Sequence, residues 1–241
     1  MCIRDRPNDY RTPLSLSKNM SGFLENTDYD IYHTNGMWMN INHSTCAVAR
    51  KKGKPYIITP HGMLYPETLA RSSWKKWPMR KIWFDRDILN ASCIHATCNK
   101  EMENIRLLGY KGPIAVIGNP VAVPDFVEEL FLARQKNSVP FRSIAFLGRL
   151  HPRKKVENIL RGASLSRHKD IEIFIIGKGD SDYEDFLKKE AKGLGLEKRV
   201  NFLGFLNGFD KYARLAMTDA LFVPSDMENF GMIIPEAVSY T

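Results

Sequence analysis

Short apolar runs alternate with polar, amphipathic stretches along most of this chain, and the alternation predicts strands separated by helices. In the first half the runs are DIYHT (Asp30–Thr34), PYIITP (Pro55–Pro60), SCIHAT (Ser92–Thr97) and IAVIG (Ile114–Gly118). A helical stretch passes through Cys46–Arg50. Pro66 and Glu67 open a basic, aromatic helical region ending near Asn90, and Asn99 caps a helix through Leu108 that Gly109 stops. In the second half SIAFLG (Ser143–Gly148), IEIFIIG (Ile171–Gly177), RVNFLG (Arg199–Gly204) and ALFVPS (Ala220–Ser225) read as strands. Pro152–Ser166, Tyr183–Gly193 and Asp210–Met217 read as helices. Strands separated by helices build parallel sheets, so the expected class is α/β. After a short helical piece, the polar stretch QKNSVP reads as a linker, giving one domain over 7–137 and a second over 142–241. The second domain has four predicted strands, where a complete doubly wound domain has about six, so its end is expected to be missing.

Composition narrows the partners more than the fold. At 241 residues, with 44% hydrophobic and 26% charged positions, the chain is ordinary for a globular enzyme. Lys+Arg 35 against Asp+Glu 27 gives a net charge of +8, which favours anionic partners: phosphorylated ligands, acidic lipid surfaces or nucleic acid. Cys2, Cys46, Cys93 and Cys98 show neither metal spacing nor a disulfide framework, which favours a reduced, cytoplasmic setting. No run is long enough to span a bilayer. The opening hexapeptide MCIRDR lacks the apolar segment of a signal peptide. It looks like the translated end of a sequencing-library adaptor, so Met1–Arg6 is expected to be foreign and the native start missing.

Several constellations carry candidate chemistry. ENFGMIIPE (Glu228–Glu236) follows a strand and opens a small apolar helix; ligands of open α/β sheets sit beyond such strand ends. Each carboxylate suits a sugar diol, and the helix start offers backbone N–H groups to an anion. In an unbroken helix the two acids would lie about 12 Å apart. Both could also be ordinary surface acids. GRLHPRKK (Gly148–Lys155) sets the Arg149 fork and the Lys154 charge near a helix start, an arrangement that suits a pyrophosphate, although solvated basic helix starts are common. IIGKGD (Ile175–Asp180) is a glycine turn without the GxGxxG fingerprint; Gly177 and Gly179 either admit a ligand or serve a tight turn. TPHG places His61 at the carboxyl end of a strand, and His33 ends another; each is either a ligand group or a satisfied structural histidine. RSSWKKWPMRKIWF (Arg71–Phe84) mixes bases with Trp74, Trp77, Trp83 and Phe84. It reads either as a membrane-surface contact or as core packing with a solvated face. Pro78 would interrupt a long amphipathic helix there. No nucleic-acid module is visible.

The order GRLHPRKK, IIGKGD, RVNFLG, ALFVPS, ENFGMIIPE resembles glycosyltransferase family 4 enzymes of the GT-B fold, and ITPHGM and ATCNKEMENIRLLG are similar to the same family, especially to builders of bacterial surface polysaccharides. The resemblance covers about Asp28 to Thr241. It implies two Rossmann-like domains facing across a cleft, the second for a nucleotide-sugar donor and the first for a glycan or lipid-linked acceptor. Arg149 and Lys154 would hold the donor diphosphate and Glu236 the ribose. Glu228 would contact the sugar hydroxyls, helped by backbone N–H groups of Asn229, Phe230, Gly231 and Met232. Gly177 and the Phe202, Leu203, Gly204 turn would lie beside the base. His61 would sit near the transferred sugar. The catalytic set implied is His61, Glu228, Arg149 and Lys154. Transfer would retain anomeric configuration without a metal ion or cofactor, in the cytoplasm or peripherally on the inner face of the membrane.

Three departures stand out. Lys155 replaces the glycine that usually follows the phosphate lysine, so a different local turn is expected. The glycine-rich loop that opens the first domain is absent, as are the last strands and closing helix of the second. The resemblance therefore implies a fragment truncated at both ends, possessing the donor-site residues but not the whole scaffold. Two other readings of the residues are a sugar-nucleotide-binding module without catalysis, and a glycoside hydrolase using Glu228 and Glu236. The hydrolase would need carboxyls about 5–9.5 Å apart and gives no role to Arg149 or Lys154.

Overall fold

The computed structural model describes residues 18–70, 73–121, 124–135, 142–226, 228–229 and 231–238. Met1–Arg6 and Phe230 lie outside them. The chain divides into two compact units, Met1–Asn119 and Pro120–Thr241.

The first unit runs α1 (Lys18–Glu25), β1 (Tyr32–Asn35), α2 (Asn40–Lys51), β2 (Tyr56–Thr59), α3 (Pro66–Ala70), α4 (Ser73–Met79), α5 (Asp85–Leu89), β3 (Cys93–Ala96), α6 (Asn99–Leu107) and β4 (Ile114–Val116). Its four strands are parallel in the order β1-β2-β3-β4. The side-chain period of two sends Tyr32, Tyr56, Ile58, Ile94 and Ala96 to one face. There they meet Met20 and Leu24 of α1, Cys46, Val48 and Ala49 of α2, and Phe84, Ile88 and Ile105. Burying each large apolar side chain contributes about 1.5–3 kcal/mol. Asp87, almost fully buried, ties α5 to α2: it accepts from Arg50 at 2.6 Å and bonds His43 at 2.8 Å.

Helix α1 is absent from the strand-and-helix reading of the sequence. Pro78 sits inside α4 and does not end the helical path; a π turn, Arg80–Phe84, links α4 to α5 and absorbs the irregularity. The basic, aromatic stretch packs one side into the core and leaves the other solvated. Trp83 packs against the core and Phe84 is buried, while Trp74, Trp77 and Ile82 are exposed.

The second unit runs α7 (Phe126–Gln135), β5 (Ser143–Leu147), a 3₁₀ turn (Pro152–Lys154), α8 (Val156–Leu165), β6 (Glu172–Ile176), α9 (Ser181–Gly193), β7 (Val200–Gly204), α10 (Gly208–Ala216), β8 (Ala220–Leu221) and α11 (Ile233–Val238). Its parallel sheet has the order β7-β6-β5-β8. Both faces are covered, which is why its strands read as continuous apolar runs. Ile144, Phe146, Ile173 and Ile175 pack under α8 and α9. Ala145, Leu147, Phe174 and Ile176 pack with Val127 of α7 and with Tyr212 and Leu215 of α10.

Three expectations are corrected here. The unit boundary falls at Asn119/Pro120, not in QKNSVP: α7 belongs to the second unit, where the Phe126 ring packs tilted against Phe209 at 5.3 Å and edge-on against Tyr212 at 5.8 Å. The Pro152–Ser166 helix breaks at Lys155, whose left-handed backbone (φ 50°, ψ 39°) separates the 3₁₀ turn from α8. The ALFVPS strand pairs only over Ala220–Leu221.

Candidate functional site

The strand order β7-β6-β5-β8 means that the chain winds outward from β5 to β7 and then returns to the other side of β5. The switch point lies between β5 and β8, and it is beyond the carboxyl ends of strands at such a point that open α/β sheets bind their ligands. GRLHPRKK leaves β5 and ENFGMIIPE follows β8, so the two richest motifs of the sequence border this point.

The β5 loop is held from its outer side. Gly148 N–H donates to the Ile176 carbonyl at 3.0 Å, and Leu150 N–H to the Lys178 carbonyl at 3.0 Å. This brings two backbones so close that a Cβ on Gly177 would lie 1.8 Å from the Gly148 oxygen, and one on Gly179 1.8 Å from the Leu150 oxygen. Glycine at 177 and 179 is therefore required by loop-to-loop packing whether or not a ligand is near. His151 caps the 3₁₀ turn, its Nδ1 accepting from Arg153 N–H at 3.2 Å.

The β8 loop docks onto the other side. Asp226 N–H donates to the Arg153 carbonyl at 3.0 Å, and Lys155 Nζ lies 3.4 Å from Asp226 Oδ2. Lys154 and Glu228 form a short ion pair, and the Ser225 hydroxyl donates to the same Glu228 oxygen at 2.7 Å. Both partners of the pair are about three-quarters buried. Lys154 and Glu228, read from the sequence as ligands of different parts of a donor, are thus in direct contact. Glu236, on α11, accepts from Lys211 of α10 at 3.0 Å, and Lys211 also sits 4.2 Å above the Tyr212 ring. Arg149 is exposed and faces Asp180 at 3.6 Å, a pair of the weak, solvent-screened kind.

Phe202 and Leu203 are strand residues, not a turn, and their side chains pack against the two opposite cores. Gly204 ends that strand with φ 70°, its carbonyl accepting from Gly177 N–H at 2.7 Å. Asn229, Gly231 and Met232 lie between Glu228 and α11; Gly231 has φ 65°, and its carbonyl accepts from Ile234 N–H at 2.7 Å.

In the first unit His61 follows β2, exposed and left-handed at φ 52°, with Nε2 3.3 Å from the Asn35 side chain at the end of β1. His33 has structural partners. His95 Nε2 donates to the Ile117 carbonyl at 2.8 Å, which leaves neutral His95 Nδ1 to accept from Thr59 Oγ1 at 3.1 Å. That hydroxyl in turn accepts from His33 Nε2 at 2.7 Å. Partial burial, with His95 and His61 nearby, lowers the pKa of His33.

Sequence reasoning missed Lys211, Ser225, Asp226 and Glu101. Ser225 ended an apolar run, and Glu101 lies in the first turn of a helix four residues after Thr97, close to a capping-box spacing. Lys211 and Asp226 carry no local signal, because their partners are brought to them by the fold.

This architecture is that of GT-B glycosyltransferases. It matches the crystal structure of Anabaena HepE in complex with UDP and glucose at a TM-score of 0.69 and 20% identity, covering 95% of this chain and 63% of that one. It also matches sucrose-phosphate synthase from Thermosynechococcus elongatus at 0.68 and 17% identity, over 91% of this chain and 56% of that one. The family model Glycosyltransferase Family 4 matches residues 3–123 and the model Glycosyl transferases group 1 matches 131–241. The chain belongs to glycosyltransferase family 4. It is 26% identical over 242 residues to the GPI3 subunit of the Saccharomyces cerevisiae phosphatidylinositol N-acetylglucosaminyltransferase, covering 97% of this chain and 51% of that protein. An uncharacterized glycosyltransferase of Methanocaldococcus jannaschii is 34% identical over 100 residues, 41% of this chain and 25% of that protein. The chain thus spans between a quarter and about half of the length of these curated relatives.

Proposed function

We propose that this protein is a retaining glycosyltransferase that moves a sugar from a nucleotide-sugar donor to a glycan or lipid-linked acceptor, in bacterial polysaccharide or lipopolysaccharide synthesis. The observation that carries the reading is the meeting of Lys154 with Glu228 across the β5/β8 switch point. A cation and a carboxylate are concentrated at the switch point, where open α/β sheets bind ligands, on loops that dock through Asp226 and Arg153.

In this reading Lys154 exchanges the Glu228 carboxylate for the donor diphosphate when the nucleotide sugar binds, and Arg149 turns from Asp180 to the same phosphates. Their positive charge would stabilise the leaving diphosphate as the glycosidic bond to the anomeric carbon breaks, without a metal ion. Glu228, steadied by Ser225, would then accept hydrogen bonds from the sugar hydroxyls. Glu236, oriented by Lys211, would bind the ribose. The backbone N–H groups of Asn229, Phe230, Gly231 and Met232 would support the sugar end, and Gly177 and Gly204 would border the base. His61 would bond the transferred sugar from the acceptor side. Exposed Trp74, Trp77 and Ile82 beside Lys81 support a peripheral contact with an anionic membrane on the cytoplasmic side. Among the described residues no helix is long and apolar enough to cross that membrane.

The test is transfer of isotopically labelled sugar from a panel of nucleotide sugars to lipid-linked and glycan acceptors by the full-length protein. Transfer is expected, and Lys154→Ala should slow it by about tenfold or more. A Lys154→Ala variant with wild-type rates would remove Lys154 from the mechanism. Binding of nucleotide sugars without transfer would leave a binding module, and release of free sugar from a glycoside with no nucleotide present would indicate a hydrolase.

A further inference from the structure

We propose that Glu101 is a positioning residue that fixes the His61 loop, an inference that rests on the role given to His61 above. Glu101 is fully buried, with no exposed surface. Its Oε1 accepts from Gly62 N–H at 2.5 Å, and its Oε2 from Thr97 N–H at 2.7 Å and the Thr97 hydroxyl at 2.8 Å. All three donors are neutral. Withdrawing a carboxylate from water costs several kcal/mol, so a position that needed only a helix cap would be served more cheaply by a neutral side chain.

Two of the bonds have a local cause. Glu101 is in the first turn of α6 and reaches back to the residue before the N-cap Cys98, a variant of the capping box that also places negative charge at the positive end of the helix. The third bond has no local cause, since Gly62 lies 39 residues earlier, beyond the carboxyl end of β2. It fastens the residue next to His61. Both His61 (φ 52°) and Gly62 (φ 74°) are left-handed, and for a residue with a Cβ that conformation costs about 1–2 kcal/mol. The Glu101 bond holds this left-handed pair, strained at His61, in place and thereby sets the direction in which the exposed His61 ring projects. Glu101 thus joins the ends of β2 and β3 and converts a helix cap into a support for the acceptor side.

Glu101→Gln replaces one acceptor oxygen by an N–H group that must face either Gly62 N–H or the Thr97 donors, so one end of the clamp is lost. Turnover is expected to fall about tenfold or more, the scale of loss from a misplaced group, while nucleotide affinity stays within about twofold, being a property of the second unit. On a His61→Ala background, Glu101→Gln should cause no further loss, because residues acting through one another are non-additive. Amide exchange at Gly62 should quicken about tenfold or more. Glu101→Asp, which keeps the charge and the Thr97 bonds but falls short of Gly62 by one methylene, should reproduce the kinetic loss should Glu101→Gln fail to fold. Wild-type turnover in a folded variant, multiplicative losses in the double variant, or unchanged Gly62 exchange would each overturn the proposal. If the wild-type protein transfers but His61→Ala is equally fast, the inference falls with the role of His61. If the wild-type protein does not transfer at all, the functional reading is what fails, and Gly62 exchange alone decides whether the clamp exists.

Discussion

At the scale of single residues, Lys155 holds a backbone conformation that favours glycine. Lys155, at the position where the resemblance implies a glycine, takes the left-handed conformation (φ 50°, ψ 39°) that glycine adopts without strain. Its ammonium, 3.4 Å from Asp226, helps fasten the β5 and β8 loops. Two variants separate backbone from side chain, since both Lys155→Ala and Lys155→Gly lose the ion pair but only the glycine relieves the strain. Lys155→Gly is expected to be more stable than Lys155→Ala by about 1 kcal/mol in urea denaturation; equal stabilities would mean that the turn is unstrained. Arg149, Lys154, Glu228, Glu236 and His61 were legible as candidate residues because they combine chemistry with strand-end positions. Their partners were not. Lys154 and Glu228 are 74 residues apart and Lys211 and Glu236 are 25 apart, and only the strand order brings such pairs together.

At the scale of elements, the strands of the second unit were the clearest prediction because both faces of that sheet are buried, so SIAFL and EIFII are apolar at nearly every position. Strands β1 and β3 of the first unit were fainter, since their buried positions alternate with polar or half-exposed ones such as His33 and His95. Helix α7 was misassigned for a physical reason: the polar stretch that follows it is the most linker-like segment of the chain, whereas nothing in FVEELFLARQ says which sheet its apolar side will cover. Val127, 1% exposed, is the side chain that settles the matter. Val127→Asp would bury an unpaired carboxylate and is expected to cost about 3 kcal/mol or more. Hydrogen exchange should then quicken in β5, β6 and α10 while β1–β4 keep their protection. Loss of protection in the first sheet instead would place α7 with the other unit.

At the scale of the whole molecule, two units with parallel sheets divide the proposed labour. The second presents the β5/β8 switch point with Lys154 and Glu228 on two helix-leading loops and Glu236 on α11, and the first presents His61 on a loop pinned by a buried carboxylate. Placing the donor site on the second unit is the claim from which the rest follows. Isothermal titration of the full-length protein with a panel of nucleoside diphosphates and their sugar conjugates tests it most directly, alongside Glu236→Ala. Removal of a buried hydrogen bond to a charged group costs about 1.5–3 kcal/mol. The wild-type protein is therefore expected to bind at least one nucleotide sugar, and Glu236→Ala to bind it about tenfold or more weakly. Absence of binding across the panel, or an affinity untouched by Glu236→Ala, would contradict the donor site.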